Sequence, residues 1–238
     1  ISSQFIMKNQ KQIKKTLHSL NKDNSFSLGL IEGYTQNNAV DFMVDKIKEL
    51  PRNSTVYFIG RYGFDYKMLD NSAFSYQYNN ALRKMVISLP IRSDLSIEFL
   101  TAHRSKGLQA DYVFILNNKK KWMGFPSTMQ DDEVLQLLLE GSDTYEFAEE
   151  RRLFYVAMTR AKEKVWLLVQ KDNKSDFVEE LTNSFEREIQ NEKFSCPECG
   201  GRLIKKNGKF GEFFGCSNYN EGCMYTRNYG KRKVGGFL

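Results

Sequence analysis

The chain has 238 residues, of which 41% are hydrophobic, enough for one larger and one smaller domain with a buried core. Its 35 Lys and Arg against 29 Asp and Glu leave a net charge of +6, which suits a polyanionic partner without choosing between nucleic acid and a charged membrane surface. No apolar run approaches the ~20 residues that span a bilayer, and no basic-then-apolar leader precedes a small-residue cleavage site, so the expectation is a cytoplasmic protein without a membrane partner.

The chain opens at Ile1 with its first Met at position 7, and reads as a piece of a longer polypeptide. Ile13, Leu17 and Leu20 recur at helical intervals and predict a helix over 10–20, with His18 as an exposed helix residue. Residues 25–31 alternate and end at Gly33 as a strand. Val40, Met43, Val44, Ile47 and Leu50 then share one helical stripe, capped by Asn37 or Asn38 and stopped by Pro51. Thr55 to Gly60 is a second buried strand. Strand, helix and strand in that order argue for a parallel α/β unit with a right-handed crossover. Arg61 follows the second strand, at the carboxyl end where open α/β sheets place ligands. It reads equally as a surface arginine opening a loop.

Leu95 to Thr101 is a third strand, delivering Thr101 and His103 to its carboxyl end, with Gly107 in a tight turn beyond. His103 has no Ser, Cys or carboxylate partner at a meaningful spacing, which argues against acid–base chemistry. Lys106 is either a phosphate contact or a solvated residue. Asn117 to Ser142 begins as a loop with Lys119, Lys120 and Lys121 and becomes a Leu-rich helix containing Val134, Leu137 and Leu138, with no site assigned. In Glu149 to Gln170, Leu153, Phe154, Ala157 and Met158 form the buried stripe of a helix. Val165 to Val169 form a strand buried on both faces. Thr159 to Lys162 is the hinge between them. An arginine fixed there, Arg160, is aimed with little freedom, as a group stabilising charge on a transferring phosphoryl must be. On this segment alone, Arg160 and Lys162 also read as a solvated cationic helix end. Phe177, Val178 and Leu181 mark a short packed helix within 173–192, leading into a polar linker.

The pattern T-x-H-x-S-K-G-L at 101–108, followed by a strand, and E-E-R-R-L-x-Y-V-A-x-T-R-A at 149–161 resemble the fifth and sixth motifs of the UvrD/Rep-like superfamily 1 DNA helicases. Gln109 to Val113 and Gly124-Phe125-Pro126 are similar to the helicase IV branch. The resemblance implies the second motor domain of an ATP-dependent helicase moving 3′ to 5′: a RecA-like parallel sheet flanked by helices over 1–182, with ATP, Mg²⁺ and single-stranded DNA as ligands. It implies that Arg160 stabilises the γ-phosphate, that Gly107 and Gln109 line the nucleotide with Arg61 as a second contact, and that Thr101 and His103 face the DNA strand. Gln109 stands where most of the family carries Glu, and a neutral acceptor bonds ribose more weakly, which leaves nucleotide selectivity open. The chain contains no G-x-x-x-x-G-K-[ST] phosphate loop. That loop is expected in an N-terminal motor domain of the same polypeptide, and this chain alone is expected to be inactive. The roughly 40 residues between Arg61 and Thr101 are too few for a typical domain, so the family's large insert is expected to be absent or minimal.

All four cysteines fall after a linker over 183–194: Cys196, Cys199, Cys216 and Cys223, a C-x2-C pair followed by a C-x6-C pair. Four thiolates at this spacing suit one structural Zn²⁺. Disulfides would need an oxidising compartment, and free thiols would leave the clustering unexplained. Residues 195–238 therefore read as a zinc-ribbon-like finger resembling those at the carboxyl end of bacterial type IA topoisomerases. Phe210, Phe213, Phe214, Tyr219, Tyr225 and Tyr229, interleaved with lysines and with Arg227, suit single-stranded nucleic acid, with Phe214 and Tyr219 as the stacking candidates. The same rings can serve as the finger's own small core. Two further functions stay open: a non-catalytic nucleic-acid-binding module, and a protein-interaction module built on the finger.

Overall fold

The computed structural model describes residues 1–9, 11, 27–70, 72–128, 145–185, 190–191, 196, 198–199, 203–209 and 211–228. The helices expected over 10–20 and around Val134 to Leu138 lie outside the described residues, apart from Lys11.

Eight strands form one sheet in the order β3-β4-β5-β2-β6-β7-β1-β8. They are β1 (Leu28–Gly33), β2 (Thr55–Gly60), β3 (Ser75–Asn79), β4 (Lys84–Ser88), β5 (Ser96–Thr101), β6 (Ala110–Ile115), β7 (Ala161–Gln170) and β8 (Gln190–Asn191). β5, β2, β6, β7, β1 and β8 run parallel; β3 and β4 add an antiparallel hairpin at one edge, making the sheet mixed. That hairpin and a short 3₁₀ turn at Asp65–Leu69 occupy the interval in which no large insert was expected.

Period-two alternation divides the core into two layers. On β7, Trp166 and Leu168 pack against α2 (Gln36–Lys48), whereas Val165, Leu167 and Val169 pack against α1 (Ser2–Met7), α3 (Ala148–Met158) and α4 (Asp176–Phe185). Covering both faces explains the continuous apolar run at 165–169, every residue of which is buried. Each large aliphatic or aromatic side chain sealed this way contributes about 1.5–3 kcal/mol. The α3 stripe is as expected, with Leu153, Phe154, Ala157 and Met158 all buried, and so is the α4 stripe of Phe177, Val178 and Leu181.

Three details depart from the expectations. The α2 cap is Thr35, whose Oγ1 accepts the Asn38 backbone N–H at 3.2 Å; an oxygen three residues upstream reaches an orphan amide that Asn37 and Asn38, already inside the helix, cannot cap. β7 begins at Ala161, so Lys162 is a strand residue and the hinge shrinks to Thr159 and Arg160. In the segment read as linker, α4 runs on to Phe185 and β8 joins the edge of the sheet beside β1.

Beyond lies a three-stranded antiparallel sheet, β9 (Leu203–Gly208), β10 (Gly211–Cys216) and β11 (Thr226–Asn228), with β10 in the middle. Among the described residues, no helix is long and apolar enough to cross a membrane.

Candidate functional site

Parallel strands put every residue that follows a strand at one end of the sheet and every residue that precedes one at the other. Arg61 follows β2, while Arg160 precedes β7. In the strand register, Ile59 pairs with Ile115 and Ala161 with Ala110. The two arginines are thus separated by about eight residue rises, or ~25 Å. They cannot both line one cleft, and the placing of Arg61 beside Arg160 on the nucleotide is corrected on that ground.

At the amino end, Arg160 is half-buried at the end of α3. Its Nε donates to Val156 O at 2.9 Å, Nη1 to Leu108 O at 3.2 Å and Nη2 to Thr159 Oγ1 at 3.0 Å. Among the described residues, every hydrogen-bond partner of this guanidinium is a neutral oxygen. Burial pushes its pKa below the usual arginine value, opposed by the nearby Tyr155. Arg160 O accepts the Ala110 N–H at 3.1 Å, which brings exposed Gln109 alongside. The corner is braced by Asp111: its Oδ2 accepts both the N–H and the hydroxyl of Thr55 at 2.8 Å, and its Oδ1 meets Lys162 Nζ at 3.2 Å. Gly107 has φ +81 with open space where a Cβ would be. Glycine is needed there for its left-handed backbone rather than for a close approach.

The carboxyl end gathers Arg61, Thr101 and His103, since Gly60 and Thr101 pair across β2 and β5. Here the arginine is neutralised. Arg61 Nε and Nη2 both lie 2.7 Å from Glu150 Oε1, and Glu150 Oε2 accepts the Ser127 N–H at 2.9 Å. Glu150 lies in the first turn of α3, so this helix carries the partner of Arg61 at one end and leads into Arg160 at the other. Thr101 Oγ1 accepts the Arg104 N–H, which folds the following turn back onto the strand end. His103 lies at the surface; partial burial, then the charges of Arg61 and Lys106, lower its pKa and leave it a neutral imidazole at pH 7. Arg151, in the same motif, serves the core. It donates both Nη groups to Glu180 at 2.8 and 2.6 Å, one also to Phe5 O, and so ties α1, α3 and α4 together.

The four cysteines converge, their sulfurs all within 4.8 Å of one another. Cys196 and Cys223 lie 3.5 Å apart and Cys199 and Cys216 3.3 Å apart, too far for disulfides. Zinc–thiolate bonds of about 2.3 Å place tetrahedral sulfurs ~3.8 Å apart, so this donor set fits the metal. Asn218 donates its backbone N–H to Cys216 Sγ at 3.3 Å, the support a ligating thiolate requires.

The finger rests on α2. Phe214 is 0% exposed, stacked on Tyr34 and tilted against Phe42, with centroids 6.0 Å away in each case. Arg227, opposite Phe214 in the β-ladder, lies over the Phe42 ring, donates to Asp41 O and pairs with Asp45 at 2.8 Å. Phe214 is therefore unavailable to a base and Arg227 is spent on an internal carboxylate, because alternation in β10 and β11 turns both toward α2. The other face presents Lys206, over the Tyr219 ring at 5.3 Å, with Tyr219 50% exposed. Phe210 and Tyr229 lie outside the described residues.

These arrangements have relatives. Residues 73–172 match the UvrD-like helicase C-terminal domain, and residues 193–231 the topoisomerase DNA binding C4 zinc finger. The chain carries a UvrD-like helicase C-terminal domain followed by a topoisomerase-type C4 finger. The chain is 33% identical to DNA helicase IV of Escherichia coli K12 over 183 residues, which is 77% of this chain and 24% of the relative. It spans about a quarter of that relative. The finger is 47% identical over 49 residues to DNA topoisomerase 1 of Methanocaldococcus jannaschii, covering 21% of this chain and 6% of the relative. Among solved structures, the C-terminal domain of a possible DNA helicase from Lactobacillus plantarum WCFS1 aligns with a TM-score of 0.44 at 14% identity, covering 81% of this chain and 96% of that one.

Proposed function

We propose that this chain is the second motor lobe of an ATP-dependent 3′ to 5′ DNA helicase, ending in a structural zinc finger held by Cys196, Cys199, Cys216 and Cys223. The observation that supports it most directly is the state of Arg160: a half-buried guanidinium, pinned at the base of two strands by neutral oxygens and matched by no carboxylate among the described residues. Such a cation is short of an anion, and the γ-phosphate of ATP bound against an N-terminal motor domain supplies one. As negative charge spreads over the phosphoryl oxygens in the transition state, a guanidinium already half-buried and fixed in direction stabilises it with little reorganisation. Gln109, beside it, accepts a hydrogen bond from ribose, and Gly107 lets the preceding loop turn away. Mg²⁺ would neutralise charge between the β- and γ-phosphates, with its ligands in the N-terminal domain. At the other end of the sheet, Thr101 and neutral His103, beside the Arg61–Glu150 pair that braces this edge, hold the single strand, and Tyr219 with Lys206 extends that contact onto the finger.

The test joins this chain to its upstream half. Arg160→Ala should lower ATP turnover by about 10³- to 10⁵-fold while leaving affinity for single-stranded DNA within a few fold. Unchanged turnover would overturn the assignment. The unjoined chain should not hydrolyse ATP.

A further inference from the structure

Two aromatic rings at the carboxyl end of the sheet have no part in the core. Tyr62 and Phe64 leave β2 just after Arg61, and their rings lie parallel, 4° apart in plane with centroids 5.2 Å apart. Phe64 is 43% exposed. A single exposed ring is ordinary on a protein surface. This one differs in how firmly its support is held. The Tyr62 hydroxyl meets Ser127 Oγ at 2.6 Å, and because that serine's own O–H donates to Trp122 O, Tyr62 is the donor. The Ser127 N–H is held by Glu150, the carboxylate that also binds Arg61, and the Arg61 guanidinium lies 5.0 Å from the centre of the Tyr62 ring. The Tyr62 N–H donates to Asp65 Oδ2 at 2.9 Å. Gly60 makes that contact possible: a Cβ there would stand 2.6 Å from Asp65 Cβ. Tyr62 is thus fixed at its backbone, its ring and its hydroxyl, and Phe64 lies flat upon it.

We propose that Tyr62 and Phe64 form a preorganised stacking platform for one unpaired base of a single strand, with Phe64 presenting the receiving face. The inference rests on the reading above that the strand runs over the carboxyl end of the sheet, and adds a base-binding subsite to it. Aromatic platforms accept any base because every base has a π-face, and here the ordering cost is met before the strand arrives. The neighbourhood suits a polyanion: Lys106 follows the adjacent strand, and Trp122, 60% exposed, stands on a loop with Lys119 and Lys121. A backbone tracking those cations turns its bases toward the rings.

The experiment measures binding of the zinc-loaded chain to a short oligothymidylate. Phe64→Ala should weaken binding about 5- to 150-fold, Phe64→Trp should preserve it, and the dependence of affinity on salt should keep its slope, because a ring is lost and no phosphate contact. Oligonucleotides with one abasic position, moved stepwise along the strand, supply the second arm. One position should weaken the unaltered chain to the level of Phe64→Ala, and the two changes together should cost no more than either. Equal binding by the unaltered chain and Phe64→Ala, with no sensitive abasic position, would overturn the platform and leave the motor reading intact. Failure of the unaltered chain to bind any single strand would overturn both. The Phe64 ring is already part-exposed, so the melting temperature should not move, and that measurement separates lost stacking from lost fold.

Discussion

The two ends of the sheet carry an arginine each and use it oppositely. At the carboxyl end, Arg61 is closed into a network with Glu150, Ser127 and Tyr62, its charge met within the chain. At the amino end, Arg160 is held just as firmly, but by two backbone carbonyls and a hydroxyl. A matched cation is a piece of architecture that positions its neighbours, whereas a half-buried cation held only by neutral oxygens is the one we propose as a receptor for an anion. The same helix serves both ends, since α3 begins at Ala148 with Glu150 in its first turn and stops at Met158, two residues before Arg160.

Zinc removal should separate the ends most sharply. The finger's described buried side chains are those of Cys196, Leu203, Phe214 and Cys216, too few for a core that stands alone, and structural zinc in small fingers contributes on the order of 10–16 kcal/mol. Chelation, or Cys216→Ser, is expected to unfold β9 to β11 and uncover Tyr34 and Phe42. Hydrogen exchange should then rise in the first turns of α2, next to the carboxyl end, while the Thr55–Asp111–Arg160 corner keeps its protection. Uniform loss of protection across the sheet would contradict this partition.

Truncating the charges should give a smaller contrast. Glu150→Ala leaves the half-buried Arg61 without its counter-charge and frees the Ser127 amide, a loss of about 2–4 kcal/mol in urea unfolding. Arg160→Ala removes a side chain whose partners are surface-near oxygens and should cost under about 1 kcal/mol. Comparable losses from the two substitutions would remove the distinction between architecture and receptor. In the double variant Arg61→Ala/Glu150→Ala the loss should fall short of the sum of the singles, because no orphaned charge remains.

Much of this was legible in the sequence, and what was missed has identifiable causes. β2 and the buried core of β7 could be read because strands covered on both faces must be continuously apolar, and the cysteines because few arrangements bring four thiols to that spacing. The opposition of Arg61 and Arg160 was available too: one follows a strand and the other precedes a parallel one, and topology does the rest. Phe214 was misjudged for want of alternation. In Phe213-Phe214 one ring must face each way, and composition cannot say which face meets α2. Glu150 and Arg151 sat in a motif read for its helical stripe, for Arg160 and for its family resemblance, and their partners, Arg61 and Glu180, are 89 and 29 residues away, distances no local pattern encodes.

The subtlest difference between the ends is in two aspartates with opposite shifts. Burial raises Asp65, at the carboxyl end, despite hydrogen bonds from the Tyr62 N–H and the Asn117 amide. The Thr55 N–H, with smaller help from its hydroxyl and Lys162, lowers Asp111 at the amino end. A carboxyl group raised by folding keeps its proton longer in the native state, so stability falls as pH climbs from the unfolded value of 3.8 to the raised one. A lowered one contributes stability above 3.8 that is lost as pH drops through its folded value. Asp65→Asn should therefore flatten the stability profile just above pH 3.8, and Asp111→Asn just below it. Urea midpoints taken across that range decide the matter. If Asp65→Asn left the upper slope unchanged, the carboxylate would be better solvated than its place behind Gly60 allows, and the support beneath Tyr62 would be softer than a stacking platform needs.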